Sequence, residues 1–410
     1  MQVSILTATS GWGGAEVHTV ALAEILRKRH HDVTIVELGH DVYSQRRSQL
    51  DDNFRLVRIE LRKPVEKVNV RESIQILRPL QSDVIIFEKG ELDSGNFYLD
   101  VAARLCSRRY IVIEQLICNP MPPRLTGRYL NGLVPGLGLW WYRSFFHRCL
   151  RSLGPHWVVC VSEAVRRQLI KDYRFPLQRT LTIHNGIDPV VFQPNRELRS
   201  SVRRAWKVPE SALVFGAVGR LAPVKGYETA VGLFKELKSA LPDRDIRLVL
   251  VGDGPSRVIL EKAVRESGMA DCVRFPGFTD CPWEAYAGLD VFLMPSLTEG
   301  LRHGLLEGMA SGCCPIAMDV AGVGEIISDP GMGWLVRPGD RNGFLNAMKA
   351  AMACTPEQRS EIGRNARDRV IAHFNSQTQL ALLVDLIENG SAKNASRQRD
   401  PTESGYAALQ

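Results

Sequence analysis

Two apolar runs, ALVFGAVG (residues 212–219) and IRLVLVG (residues 246–252), decide the fold. Between them lies a stretch with helical character that begins at about Gly226. A strand that is apolar at successive positions is covered on both faces, and two such strands joined through a helix pair in parallel. The same unit continues on either side. Downstream, a helix from about Pro255 leads to CVRFPG (272–277), DVFLMP (290–295) and CPIAMD (314–319). Upstream stand VSILTA (3–8), DVTIVEL (32–38), FRLVRIEL (54–61), DVIIFE (83–88), YIVIE (110–114) and WVVCVS (157–162). Amphipathic stretches such as Glu16–Arg29 and Ser94–Ser107 separate them. The pattern predicts an α/β protein of two Rossmann-like parallel-sheet halves facing across a cleft, where ligands of such folds bind.

Asn185, Gly186, Pro189 and Pro194 make a turn-rich join between the halves. The expected domains are therefore residues 1–192 and 193–374. Residues 375–389 add one amphipathic helix, and the polar segment 390–410 is expected to be disordered.

Composition narrows the function. The 410 residues, 45% hydrophobic and 24% charged, suffice for two or three globular domains and argue against a wholly disordered or collagen-like chain. No apolar run approaches a membrane span, and MQVSILTATSGWGG reads as a first strand rather than a leader. The expected compartment is the cytoplasm. The nine Cys include no C-x-x-C pair, and Cys313 and Cys314 are adjacent, so they read as reduced buried thiols. The nine His show no H-E-x-x-H spacing, and no metal site is expected. The formal charge of +7 suits an anionic partner such as phosphate or an acidic membrane surface, and offers nothing specific to nucleic acid. The aromatic and basic cluster WWYRSFFHR (140–148) is either core or a peripheral membrane contact.

Four strand-to-helix turns could carry chemistry. GWGGAEVH (11–18) brings Gly13 and Gly14 to a helix start, but Glu16 stands where a dinucleotide fingerprint needs its third glycine. Glu37, which ends the second strand, could imitate the ribose-binding acid of an NAD site and keeps an oxidoreductase open. VGRLAPVKG (218–226) places Arg220 and Lys225 about a loop at the carboxyl end of a strand, two cations suited to phosphate oxygens. VGDGPSR (251–257) repeats the turn with Gly252 and Gly254. PSLTEGLRHGLLEGMA (295–310) is the most informative. A helix starting near His303 or Gly304 would put Glu299 in the preceding loop and Glu307 on about the first turn. Two carboxylates would then stand beside free helix amides, with Arg302 and His303 as further anion contacts.

In this order, GGAE, VSEAVRRQL (161–169), IHNGID (183–188), VGRLAPVKG, LVGDGPSR, VRFPGF (273–278) and PSLTEGLRHGLLEGMASG (295–312) resemble the retaining nucleotide-sugar glycosyltransferases of GT-B fold, glycosyltransferase family 4. The resemblance implies that Arg220 and Lys225 hold the donor diphosphate of a UDP- or GDP-sugar. It implies that Glu307 binds the ribose and Glu299 the transferred sugar. Backbone amides around Leu301, Arg302, His303 and Gly304 would face the phosphates, joined by Gly13 and Gly14 from the first domain and by Gly252 and Gly254. Phe275, Gly277 and Phe278 would border the base, and helix 375–389 would cross back to the first domain. The implied acceptor is a glycan or lipid-linked hydroxyl in polysaccharide, lipopolysaccharide or glycolipid synthesis, and no cofactor or metal is implied. Such an enzyme would sit in the cytoplasm or at the inner face of the membrane. Two departures stand out. Leu301 and Arg302 replace glycines common in the family, and IVIEQL (111–116) has Glu114 or Gln115 where many members carry a first-domain histidine. A non-catalytic nucleotide-sugar-binding subunit is therefore the second hypothesis, and a glycosidase using Glu299 and Glu307 is another.

Overall fold

A computed structural model describes residues 1–9, 11–50, 54–61, 65, 68–89, 97–115, 154–297 and 303–390. By backbone contacts the chain divides into two compact units, Met1–His184 with Gln379–Gln410, and Asn185–Thr378.

The first unit is a seven-stranded parallel sheet of β1 (Gln2–Thr7), β2 (Asp32–Leu38), β3 (Arg55–Ile59), β4 (Val84–Lys89), β5 (Arg109–Glu114), β6 (Trp157–Cys160) and β7 (Thr180–Thr182). Their spatial order is β3-β2-β1-β4-β5-β6-β7. The central strands are apolar almost throughout because helices cover both faces, and β4 is buried at all six positions. Leu6, Ile85, Phe87 and Val112 pack with Leu99, Ala102 and Ala103 of the helix Phe97–Cys106. Lys89 is also buried there, its ammonium 2.9 Å from Asp100, which accepts from the Tyr110 hydroxyl as well.

The second unit repeats the plan with β8 (Leu213–Val218), β9 (Ile246–Val251), β10 (Val273–Gly277), β11 (Val291–Met294), β12 (Cys314–Met318) and β13 (Trp334–Val336). They run in the order β10-β9-β8-β11-β12-β13, all parallel. Beneath this sheet Arg203 is 1% exposed, paired to Asp290 at 2.7 Å and donating to the Gly288, Glu210 and Ala212 carbonyls.

The join lies with the second unit from Asn185 onward, ahead of the residue-192 boundary expected from the prolines. Ile187 bridges to Asn375, and Arg367 donates to the Pro189 and Phe192 carbonyls, so 185–192 is fastened there. Gly186 serves close approach rather than a tight turn, because a side chain would overlap the backbone of Ser376. The helix Ser376–Asn389 starts in the second unit and continues into the first. There Glu388 meets His31 at 2.9 Å and Arg29 at 3.0 Å. The tail from residue 391, the cluster 140–148 and the segment 116–153 around it lie outside the described residues. Among the described residues no helix is long and apolar enough to cross a membrane.

Candidate functional site

In a doubly wound sheet the ligand crevice opens at the carboxyl ends of the strands where the winding reverses. In the second unit that point lies between β8 and β11. The loops there form one hydrogen-bonded layer. Leu297 N–H donates to the Val224 carbonyl, Leu221 N–H to Asp253, Ser256 N–H to Leu221, and Gly252 N–H to Gly277, at 2.8–3.0 Å. Glycine is needed at two of the junctions. Gly226 (φ +68°) lies against the Pro295 carbonyl and Gly252 (φ +135°) against the Gly219 carbonyl, and a Cβ would overlap each.

On this layer Arg220 is exposed directly after β8, and Lys225 is half-buried at the end of the turn before the helix Tyr227–Ala240. Gly254 belongs to the same layer, packed on Leu221. Phe275 and Gly277 continue it along β10, and Phe278, just past the strand, is 59% exposed. Arg257 reaches the Phe275 carbonyl at 3.3 Å and ties this edge to the turn 252–257.

The helix His303–Ala310 begins where the sequence places it. An added Cβ on Gly304 would lie 3.6 Å from the Val218 carbonyl, so the helix start adjoins the end of β8. Glu307 is half-buried on this helix and accepts a 2.8 Å hydrogen bond from the Tyr286 hydroxyl. Tyr286 is wedged between Phe192 and Phe292, with ring centroids 6.0 and 5.6 Å away. Burial first, and then Glu307, raise its pKa well above the ordinary phenol value, so it stays a donor. This positioning residue was missed in the sequence, where PWEAYAG offers no cue beyond an aromatic in a short helix. A cavity of about 20 Å³, room for one water, lies beneath, lined by Val218, Tyr227, Ser296 and Gly304 among others. Glu299, Leu301 and Arg302 fall outside the described residues.

The first unit's corresponding point lies between β1 and β4. The helix Gly14–Lys28 starts there, with Gly13 as an N-cap that lacks a side-chain bond. Glu16, on the first turn of that helix, is buried, and burial above all raises its pKa above the ordinary carboxylate value. Glu37 accepts from Tyr43 N–H at 2.6 Å and from the Ser44 hydroxyl, so the acid suggested for an NAD ribose caps a local turn instead. Gln115 donates to Glu88, and Glu114 is buried at the end of β5. Ser162 of VSEAVRRQL caps its helix through Val165 N–H, and Glu163 pairs with Arg166 and Thr182, so that motif is structural here. Among the described residues no three His, Cys, Asp or Glu side chains gather as metal ligands.

Residues 199–369 match the family described as Glycosyl transferases group 1, and residues 126–191 match Glycosyltransferase Family 4. HepE of Anabaena, crystallised with UDP, superposes with a TM-score of 0.75 over 95% of this chain and 100% of its own at 17% identity, which is a likeness of fold. The architecture is GT-B. The chain belongs to the family 4 glycosyltransferases. It is similar to D-inositol 3-phosphate glycosyltransferase of Stackebrandtia nassauensis, 30% identical over 57% of this chain and 56% of that protein. It is also similar to the GDP-mannose-dependent alpha-mannosyltransferase of Mycolicibacterium smegmatis, 31% identical over 57% of this chain and 55% of that one. The chain thus matches just over half the length of these two relatives.

Proposed function

We propose that the protein transfers a sugar from a UDP- or GDP-sugar to a hydroxyl acceptor with retention of configuration. One observation carries this: the second sheet's reversal point gathers Arg220, Lys225, a helix start at His303 and a Glu307 fixed by Tyr286. Cleavage of the sugar–phosphate bond develops negative charge on the departing diphosphate. Arg220, Lys225 and the helix amides are preorganised donors for that charge, which is how such a site lowers the barrier. Glu307, held by the Tyr286 hydroxyl, accepts from two ribose hydroxyls in this reading. Phe275 and Phe278 border the base, and Glu299 contacts the transferred sugar. The leaving phosphate takes the acceptor's proton as the acceptor attacks the same face, so neither glutamate acts as nucleophile. The two cations do the work a metal would do, and no cofactor is called for.

The relatives' names motivate the donor set, since one acts with GDP-mannose and HepE holds UDP. The test is a panel of UDP- and GDP-sugars followed by proton NMR of the anomeric centre. Donor consumption with an α-linked product from an α-linked donor is expected. Inverted product overturns the retaining course, and cleavage of simple glycosides without a nucleotide overturns the transferase reading.

A further inference from the structure

The chain enters the second unit at Asn185, and the segment that follows is tied to the helix that carries Glu307. Arg367, half-buried on the helix Pro356–His373, makes the tie. Its Nη1 donates to the Phe192 carbonyl at 2.7 Å and to the Ala310 carbonyl, and its Nη2 donates to Pro189 at 2.9 Å. Ala310 ends the helix His303–Ala310. The carbonyls of Glu307, Gly308 and Met309 accept from the N–H groups of Ser311, Cys313 and Gly312, and Arg367 meets the remaining one of the last turn. A cation is favoured there by the negative end of the helix dipole.

Two glycines close the same contact. A side chain at Gly363 would overlap the Gly312 carbonyl, and an added Cβ on Gly312 would lie 3.0 Å from Pro194 Cγ. The entering segment, the end of the helix His303–Ala310 and the helix Pro356–His373 therefore meet at van der Waals contact. From this anchored segment the buried Phe192 packs edge-on against Tyr286, with ring centroids 6.0 Å apart and planes at 69°. Phe292 holds the same ring at 5.6 Å. Aromatic contacts of this kind have a preferred geometry, and the hydroxyl of the ring so held donates to Glu307 at 2.8 Å.

We propose that Phe192 and Arg367 are positioning residues for the nucleotide. Arg367 fixes the entering segment against the carboxyl end of the helix, and Phe192 holds Tyr286 where its hydroxyl orients the Glu307 carboxylate toward the ribose. The inference rests on the transferase reading, in which Glu307 takes the ribose, and extends the site to the residues behind that carboxylate. A group that must accept two hydroxyls at once works only when packing and a supporting shell of bonds lock its own rotamer.

Calorimetric titration of the full chain with UDP, GDP and inorganic pyrophosphate separates this role from plain stabilisation, because pyrophosphate has no ribose. Phe192→Leu and Arg367→Gln should each weaken nucleotide binding by about fivefold and leave pyrophosphate within about twofold, the loss expected when one hydrogen bond is misaligned. Arg367→Lys, which keeps a cation for the carbonyls, should recover part of the loss. Glu307→Ala should itself weaken nucleotide binding, and adding Phe192→Leu to it should cost nothing further, as for residues that act through one contact. Equal losses for nucleotide and pyrophosphate, additive losses in the double variant, or unchanged nucleotide affinity in the folded single variants would overturn the proposal. A loss in Glu307→Ala without one in Phe192→Leu or Arg367→Gln overturns the proposal alone, whereas unchanged affinity in Glu307→Ala overturns the ribose reading and the proposal together.

Discussion

The two sheets are wound in the same order, yet the crevices at their reversal points have opposite chemistry. Between β8 and β11 the loops are glycine-rich, tied together by backbone bonds, and present Arg220, Lys225 and a helix start. Between β1 and β4 Glu16 is buried on the first turn of the helix, and Glu88 is buried among Thr19, Gln115 and His18. One topology therefore carries exposed and half-buried cations on glycine turns in one unit and buried carboxylates in the other. Strand order sets where a ligand goes; the few residues after each strand set which ligand it is.

The sharpest way to strain this comparison is to break the charge buried beneath one sheet and ask whether the other unit notices. Lys89→Met leaves Asp100 with the Tyr110 hydroxyl and should cost about 3–5 kcal/mol of stability. Urea unfolding measures it, and nucleotide affinity of the remaining folded protein should not change. Arg203→Met should cost less, because Asp290 keeps Arg199 and the Val214 N–H.

Next come the cations of the second crevice. Lys225→Ala and Arg220→Ala should each lower UDP or GDP affinity by about 10- to 100-fold, corresponding to about 1.5–3 kcal/mol per charged contact. Calorimetric titration checks this, and unchanged affinity in a folded variant removes that residue from the site.

A pH prediction concerns the first unit alone. Burial, and then Arg104, Arg109 and Arg179, push His156 down to about 4 from its usual 6.5. Its folded-state pKa is the lower one, so the unfolded chain binds the proton first. The contribution is complete above pH 6.5 and is lost as pH falls toward 4. Urea midpoints should decline between pH 6.5 and 5, and His156→Gln should flatten that decline.

The smallest effect is expected from Tyr286→Phe, which removes the hydrogen bond to Glu307. UDP affinity should drop by about fivefold, near 1 kcal/mol, with little change in melting temperature.

Much of this was legible in the residues. Eleven apolar runs read from the sequence correspond to β1–β6 and β8–β12, because doubly covered strands leave an unbroken apolar signature. β7 and β13 were missed, being three-residue strands too short to show a pattern. The helix at His303 was legible from LLEGMA. The Tyr286–Glu307 bond, the buried Arg203 and the His18–Glu88 approach were not. Each joins residues at least 21 apart in sequence, and none has a spacing that local periodicity records. Glu37 and Gly186 show the converse limit: their residue types suggested a ribose contact and a turn, and tertiary partners gave them other work.

The diphosphate site proposed at the second unit's reversal point stands or falls on where a nucleotide binds. A crystal of the intact protein grown with UDP or GDP tests it most directly. Phosphate oxygens are expected within hydrogen-bond distance of Arg220 and Lys225, and ribose hydroxyls on Glu307. Nucleotide bound elsewhere, with those three side chains untouched, would contradict it.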